Sequence, residues 1–199
     1  MQQNIAILAR ELLNQLERTE MPVCSRIKPG LSEDIIDEKL KDVPFLVHDD
    51  VRTLYMVFNG VDVAGHVRAS DIEIYNLQTM YDLDLGVLQA RQYFDPADPY
   101  YMFPLLLEDS NGFYAVCHPD CTVSSVVSYL KAFDPEPCFS SLENLLTGLV
   151  RGYSSGALHR RVYPSSPTDM IAFAEIAMDL EPNLEYWHRK RDAIRQLAP

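Results

Sequence analysis

Apolar residues near the start of the chain recur every three or four positions, which is the spacing of a helix with one buried face. The stripe predicts a helix from Asn4 to about Arg18 and consists of Ile5, Leu8, Leu12, Leu13 and Leu16. Lys28-Pro29-Gly30 then predicts a turn.

Two shorter helices are predicted after that turn. Ser32 offers an N-cap hydroxyl, and Val43-Pro44 ends the helix that follows it. Asp49 or Asp50 is expected to cap the next helix, and Asn59-Gly60 to end it, because both residue types tolerate the left-handed conformation found at helix C-termini.

The middle of the chain changes to the period of a strand. Asp71 to Tyr75 alternates polar and apolar residues, which predicts a half-buried strand. Between Met80 and Tyr93 the pattern is ambiguous, with a short helix expected around Leu88 to Tyr93. Further strands are predicted at Met102 to Leu107, Gly112 to Cys117 and Thr122 to Leu130, the first two joined through the hairpin signal Asn111-Gly112.

The last third returns to helical spacing. Asp134 to Pro137 predicts a turn, and Ser140-Ser141-Leu142-Glu143 reads as a capping box before a leucine-rich helix. Gly152 to Gly156 is expected to be a loop, with two helices within 167–197. Helices, hairpin strands and then helices again predict one α+β domain with a mainly antiparallel, bent sheet and helices packed around it.

The totals narrow the class of protein. Of the 199 residues, 47% are hydrophobic and 23% charged, a balance typical of a globular domain, and no apolar run is long enough for a membrane helix. The residues Met1 to Asn4 do not resemble a secretory signal, and the four cysteines are unevenly spaced, so we expect a cytoplasmic protein with reduced thiols, disulfides being the alternative.

The formal net charge of −12 argues against nucleic acid as a partner, because such a field repels phosphate. The charge either keeps the protein soluble or steers a basic protein towards it. Acidic residues concentrate between Glu33 and Asp50, whereas the basic run His188 to Arg191 is read as the solvated face of a last helix rather than a nucleic-acid patch.

An ordered set of short motifs resembles a known family. Pro29-Gly30-Leu31-Ser32, Asp50 to Tyr55 followed by Asn59-Gly60, Phe103-Pro104-Leu105, Gly112-Phe113-Tyr114 and Ser140 to Leu146 occur in this order. In order and spacing they are similar to the SUKH superfamily, which is named in part for the yeast cell-wall-synthesis regulator of the Smi/Knr type. The resemblance covers about residues 28–156, so the helix 4–18 and the helices of 167–197 look like additions.

The resemblance implies a compact α+β domain that binds another protein. Bacterial members of the superfamily are mostly viewed as immunity proteins that neutralise partner toxins, and eukaryotic members as regulatory interaction proteins. The superfamily has no shared catalytic residues to carry over to this chain. Its matching positions here, such as Tyr55, Phe58 and Asn59-Gly60, are expected to be structural.

Cys117, His118, Cys121 and Cys138 are the residues closest to a metal or thiol-enzyme site. Zinc accepts such ligands, but the paired Cys-x-x-Cys spacing is missing, and adjacent residues of a strand point to opposite faces. Small buried thiols and a turn histidine are the preferred interpretation. We therefore expect no metal, no cofactor and no enzymatic activity.

Partner-binding residues are expected in two segments. Asp37, Glu38 and Asp42 represent the acidic segment that would steer a basic partner. Four aromatic residues around a proline-rich loop offer contact area for an interface, the alternative being that they plug the sheet edge; they are Tyr93, Phe94, Tyr100 and Tyr101. The leading hypothesis is an immunity protein that binds a basic toxin domain; the alternatives are a regulatory scaffold without a toxin partner and an uncharacterised enzyme.

Overall fold

The structure, a computed structural model, describes residues 2–65, 68–96, 101–109, 111–121, 123–131, 133–159 and 167–197. Within these residues the helices are α1 Gln2–Arg18, α2 Glu33–Leu40, α3 Asp49–Val57, α4 Leu83–Gln92, α5 Leu142–Ser155, α6 Pro167–Leu180 and α7 Glu185–Leu197. The strands are β1 Ile27–Pro29, β2 Phe58–Val61, β3 Met102–Glu108, β4 Asn111–Val116, β5 Ser125–Tyr129 and β6 Glu136–Phe139. The α+β class is therefore confirmed. None of the described helices is long and apolar enough to cross a membrane.

The larger sheet is an antiparallel meander in the order β3-β4-β5-β6. The predicted hairpin is confirmed, since β3 pairs with β4 with Glu108 opposite Asn111 and Leu107 opposite Gly112. Glycine is required at position 112, because a Cβ atom there would overlap the Leu106 carbonyl oxygen. The third predicted strand is present as β5, and the sheet continues into β6, where a turn was expected. Pro137 is tolerated there because β6 is an edge strand.

A second, two-stranded sheet was not foreseen. Residues 27–29 do not form the predicted turn but pair with β2, with Ile27 opposite Val61 and Pro29 opposite Phe58. Asn59-Gly60 follows α3 as predicted, but within a strand. Gly60 has φ +67°, and a Cβ atom there would overlap the backbone of Tyr81. This close approach explains the glycine better than a helix C-cap does.

The strand predicted at 71–75 is wrong. Ala69–Asp71 is a turn of 3-10 helix, and Tyr75 makes only an isolated bridge with Gln78. Three consecutive residues, Glu73, Ile74 and Tyr75, are buried, so the alternation did not reflect one buried and one exposed face.

Several helix boundaries also differ from the predictions. α4 begins at Leu83, because the Asp82 carboxylate accepts from the backbone N–H of Leu85. Ser141, not Ser140, caps α5, and it accepts from the N–H of Asn144 rather than pairing with Glu143 as a capping box would. α5 runs through the predicted loop to Ser155 and ends at Gly156, which has φ +80°.

The terminal helices share one hydrophobic core with the rest of the chain. α1 contributes Ile5, Ala9, Leu12 and Leu16, all at most 1% exposed, and packs on α3 and α5. Trp187 of α7 is also 1% exposed, and its Nε1–H donates to the Cys138 carbonyl oxygen at 2.7 Å. Its ring contacts the side chains of Phe113, Phe139, Phe173 and Tyr186.

Candidate partner-binding surface

Helix α2 carries two of the three predicted acidic site residues, Asp37 and Glu38, and lies against both α3 and α4; Asp42 is in the turn that follows α2. Asp37 forms an ion pair with Arg52 of α3, and Asp42 lies 3.9 Å from Arg91 of α4. Glu38 pairs within its own segment with Lys41, and this hydrogen bond raises the pKa of the Lys41 ammonium. Such exposed pairs are screened by water and contribute little to stability, so they orient α2 more than they stabilise it.

The negative charge of α2 is only partly compensated by these pairs. Glu33 and Asp34, in its first turn, have no cationic partner within the described part of the chain, and both side chains are exposed. Glu33 also borders a cleft of about 250 Å³ between α2 and α3, together with Asp49 and Met56. This end of α2 therefore presents the least neutralised carboxylates of the predicted acidic segment.

The aromatic residues divide into two groups. Phe94 and Tyr101 form a three-ring cluster with Phe45, with ring centroids 5.6 to 5.8 Å apart, and all three side chains are half-buried. Tyr93 instead packs against Tyr129 of the sheet, at 6.5 Å between centroids. The fourth predicted residue, Tyr100, lies outside the described residues.

The structure brings the acidic and aromatic segments together. Arg91, which approaches Asp42, is in the last turn of α4, and the chain continues from there into Phe94. Phe45 follows Asp42 by three residues and stacks on Phe94. We call Asp37, Glu38, Asp42, Phe45, Phe94 and Tyr101 the acidic–aromatic surface.

Sequence reasoning did not include Phe45 in this surface. Its signal was the apolar pair Phe45-Leu46 between two predicted helices, where a solvated loop would normally be polar. Leu46 is 72% exposed, more than any other large apolar side chain described. Ile35 of α2, Met56 of α3 and Leu88 of α4 are also exposed.

The cysteine and histidine residues of the predicted metal candidate do not converge. Cys117 and Cys138 are buried, whereas His118 and Cys121 are exposed. Within the described ranges no three Cys, His, Asp or Glu side chains are grouped as metal ligands. Burial raises the pKa of the Cys117 thiol to about 12, so this thiol is a poor nucleophile at neutral pH.

A buried polar cluster was missed by the sequence analysis. Asp50 accepts from the N–H of Val51 at 2.8 Å and from the N–H and hydroxyl of Ser124, both at 2.9 Å. The Ser124 Oγ also lies 3.2 Å from His48 Nδ1, and His48 Nε2 lies 3.0 Å from the His118 carbonyl oxygen. Serine, histidine and aspartate side chains thus meet, as they do in some hydrolases. However, Ser124 is 0% exposed, so a substrate could not reach its hydroxyl. The cluster instead joins α3 to the segment that precedes β5.

A comparison of the chain with models of known protein families and with curated proteins finds no match. The likeness to the SUKH superfamily therefore rests on the sequence motifs themselves.

Proposed function

We propose that this chain is a non-catalytic protein-binding domain of the SUKH type, which acts as an immunity protein by occluding a basic toxin domain. The acidic–aromatic surface is the proposed docking site. Its charged groups would steer the partner, and its rings, together with exposed apolar side chains on the neighbouring elements, would hold it.

The observation that carries this proposal is that most of the exposed large apolar side chains belong to the same packed elements as the carboxylates. Seven large apolar side chains are exposed among the described residues, and four of them belong to α2, α3, α4 or the loop after α2. These four are Ile35, Leu46, Met56 and Leu88. Exposed apolar groups bordered by charge are typical of protein–protein interfaces.

The ion pairs of α2 define what the partner must offer. Asp37 and Asp42 are already paired with arginines of this chain, so an incoming cation competes with Arg52 and Arg91. At Glu33 and Asp34 an incoming cation would have no cation of the described residues to displace. Because the whole chain carries −12, a basic protein is attracted at long range and an acidic one is repelled.

Charge reversal on α2 tests the proposal. Tagged wild-type protein and the variant Asp37→Lys/Glu38→Lys/Asp42→Lys are used to capture partners from a lysate of the native host, with washes of rising salt and identification by mass spectrometry. The matched control variant, Glu17→Lys/Glu108→Lys/Asp179→Lys, changes the net charge equally at exposed positions on α1, β3 and α6. Circular dichroism confirms that both variants fold.

We expect one stoichiometric basic partner that is lost as salt rises. With that partner purified, its association rate should fall about tenfold for the α2 variant at low salt, with a flatter salt dependence, and change much less for the control. Equal association rates for the two variants would remove the α2 surface from the proposal.

Toxicity of the partner decides whether the binding protects a cell. Expression of the partner alone should arrest growth of the host, and co-expression of this chain should restore it. A partner that binds without toxicity would instead identify a regulatory scaffold.

A further inference from the structure

A groove of about 330 Å³ lies between the turn that joins β5 to β6 and helix α7. It is formed by different elements from the acidic–aromatic surface. Two large apolar side chains of the turn line it, Leu130 at 54% and Phe133 at 68% exposure. Hydrogen bonds hold the turn, from the Phe133 N–H to the Leu130 carbonyl oxygen at 2.9 Å and from the Lys131 N–H to Asn111 at 2.8 Å. These hydrogen bonds hold the backbone at Lys131 and between Leu130 and Phe133.

In the opposite wall, α7, one lysine has no ion pair among the described residues. Each arginine of the helix has an acidic partner: Arg189 with Glu136 at 3.0 Å, Arg191 with Asp192 at 2.8 Å and Arg195 with Glu175 at 3.0 Å. Lys190 lines the groove and forms no ion pair with any described residue.

Four charged residues line the groove, and two of them, Glu136 and Arg189, pair with each other. Neither of the other two, Lys190 and Asp134, forms an ion pair with a described residue. A cation beside an apolar wall matches a ligand with a single negative charge. Asp134, which also lines the groove, disfavours a second one.

The groove also offers a hydroxyl donor. The Tyr186 hydroxyl donates to Ser128 Oγ at 3.0 Å, and both residues line the groove. Burial raises the pKa of Tyr186 to about 12, so its phenol keeps its proton at neutral pH. Because the tyrosine supplies the proton of that hydrogen bond, the serine's own proton is available, and the described residues show no acceptor for it.

We propose that this groove binds a free small monocarboxylate carried on an aryl or alkyl group. The apolar group lies against Leu130 and Phe133, and the carboxylate meets Lys190 and the Ser128 hydroxyl. The volume is at the lower end of small-molecule sites, which are roughly 300–1,000 Å³. The inference does not depend on the proposed function.

Three ligands with one apolar group and different charges test it: cinnamate, cinnamamide and cinnamylamine. Each is titrated into the full chain, and the backbone amide resonances are followed by NMR. We expect saturable shifts at Phe133, Tyr186 and Lys190, with a Kd about fivefold lower for cinnamate than for cinnamamide, the gain of one exposed ion pair. Cinnamylamine should bind most weakly.

Three variants separate the contributions to binding. Lys190→Gln should raise the cinnamate Kd to that of the amide, whereas Lys131→Gln, on the turn but not lining the groove, should keep the difference. Phe133→Ser should weaken binding of all three probes. Shifts that do not saturate, shifts centred elsewhere, or a carboxylate preference that survives Lys190→Gln would each overturn the proposal.

Discussion

Replacing Asp50 by alanine should destabilise the fold far more than any other change of an acidic residue on α3. Its carboxylate is 3% exposed and accepts three hydrogen bonds, from Val51 and from the backbone and side chain of Ser124. Alanine would leave two backbone N–H groups and one hydroxyl without this acceptor, in a region that water does not reach.

The expected cost follows from those three donors. A buried donor that loses its acceptor costs about 1–3 kcal/mol, and relaxation of the side chains recovers part of it. A loss of about 3–5 kcal/mol in the free energy of unfolding is therefore expected, which is large against a typical total of about 5–15 kcal/mol. For a chain of this size the melting temperature should fall by about 2–4 °C per kcal/mol.

Urea unfolding measures this loss, followed both by circular dichroism and by the fluorescence of Trp187, the single tryptophan. Asp49→Ala is the matched control, because Asp49 is adjacent and exposed, and its carboxylate lies 3.7 Å from Arg52. The control should lose less than about 1 kcal/mol. If Asp50→Ala proves as stable as Asp49→Ala, the buried cluster does not hold α3 to the sheet and the reasoning is refuted.

Three further predictions concern the core and its titrating groups. Trp187→Ala should lower the free energy of unfolding by about 3–5 kcal/mol, measured by circular dichroism in urea, and a loss below about 1 kcal/mol would mean that α7 is not part of the core. Iodoacetamide at about pH 8 should label Cys121 first, and Cys117 and Cys138 only after unfolding, because burial raises the pKa of both buried thiols; mass spectrometry of the native protein reads the order. Stability should also fall as the pH rises above about 8.5. In that range the unfolded chain ionises its thiols, whereas Cys117 in the folded state, with a pKa of about 12, keeps its proton. Because the folded state then binds more protons, the free energy of unfolding decreases as the pH rises. Urea midpoints at about pH 7 and about pH 10 measure this slope, which Cys117→Ala should reduce and which a constant midpoint would contradict.

Elements defined by neighbouring residues were predictable from the sequence. The stripe of α1, the hairpin at Asn111-Gly112 and the leucine spacing of α5 depend on local periodicity or turn geometry, and the structure has all three. Residues 71–75 failed because a strand needs a partner, and alternation alone does not supply one. α5 continues past Gly152 because this glycine serves packing and not a turn: a Cβ atom there would lie 2.8 Å from the Leu158 side chain, and the helix ends instead at Gly156.

The candidate surface also combines features that local sequence predicts with contacts that it does not. The acidity of α2 is a property of the sequence, as is the aromatic content of the loop after α4. Their meeting, through the Asp42–Arg91 pair and the stack of Phe45 on Phe94, joins residues about fifty positions apart along the chain, and local spacing carries no information about such contacts.

The α+β class, most of the helices, the hairpin and the acidic charge were predictable from the sequence, because each follows from residue type and short-range periodicity. Tertiary packing makes Asp50 a buried acceptor rather than an N-cap and, among the described residues, leaves Lys190 without an ion pair. Both depend on which distant group lies within hydrogen-bond or ion-pair distance, and packing of the whole chain sets those distances.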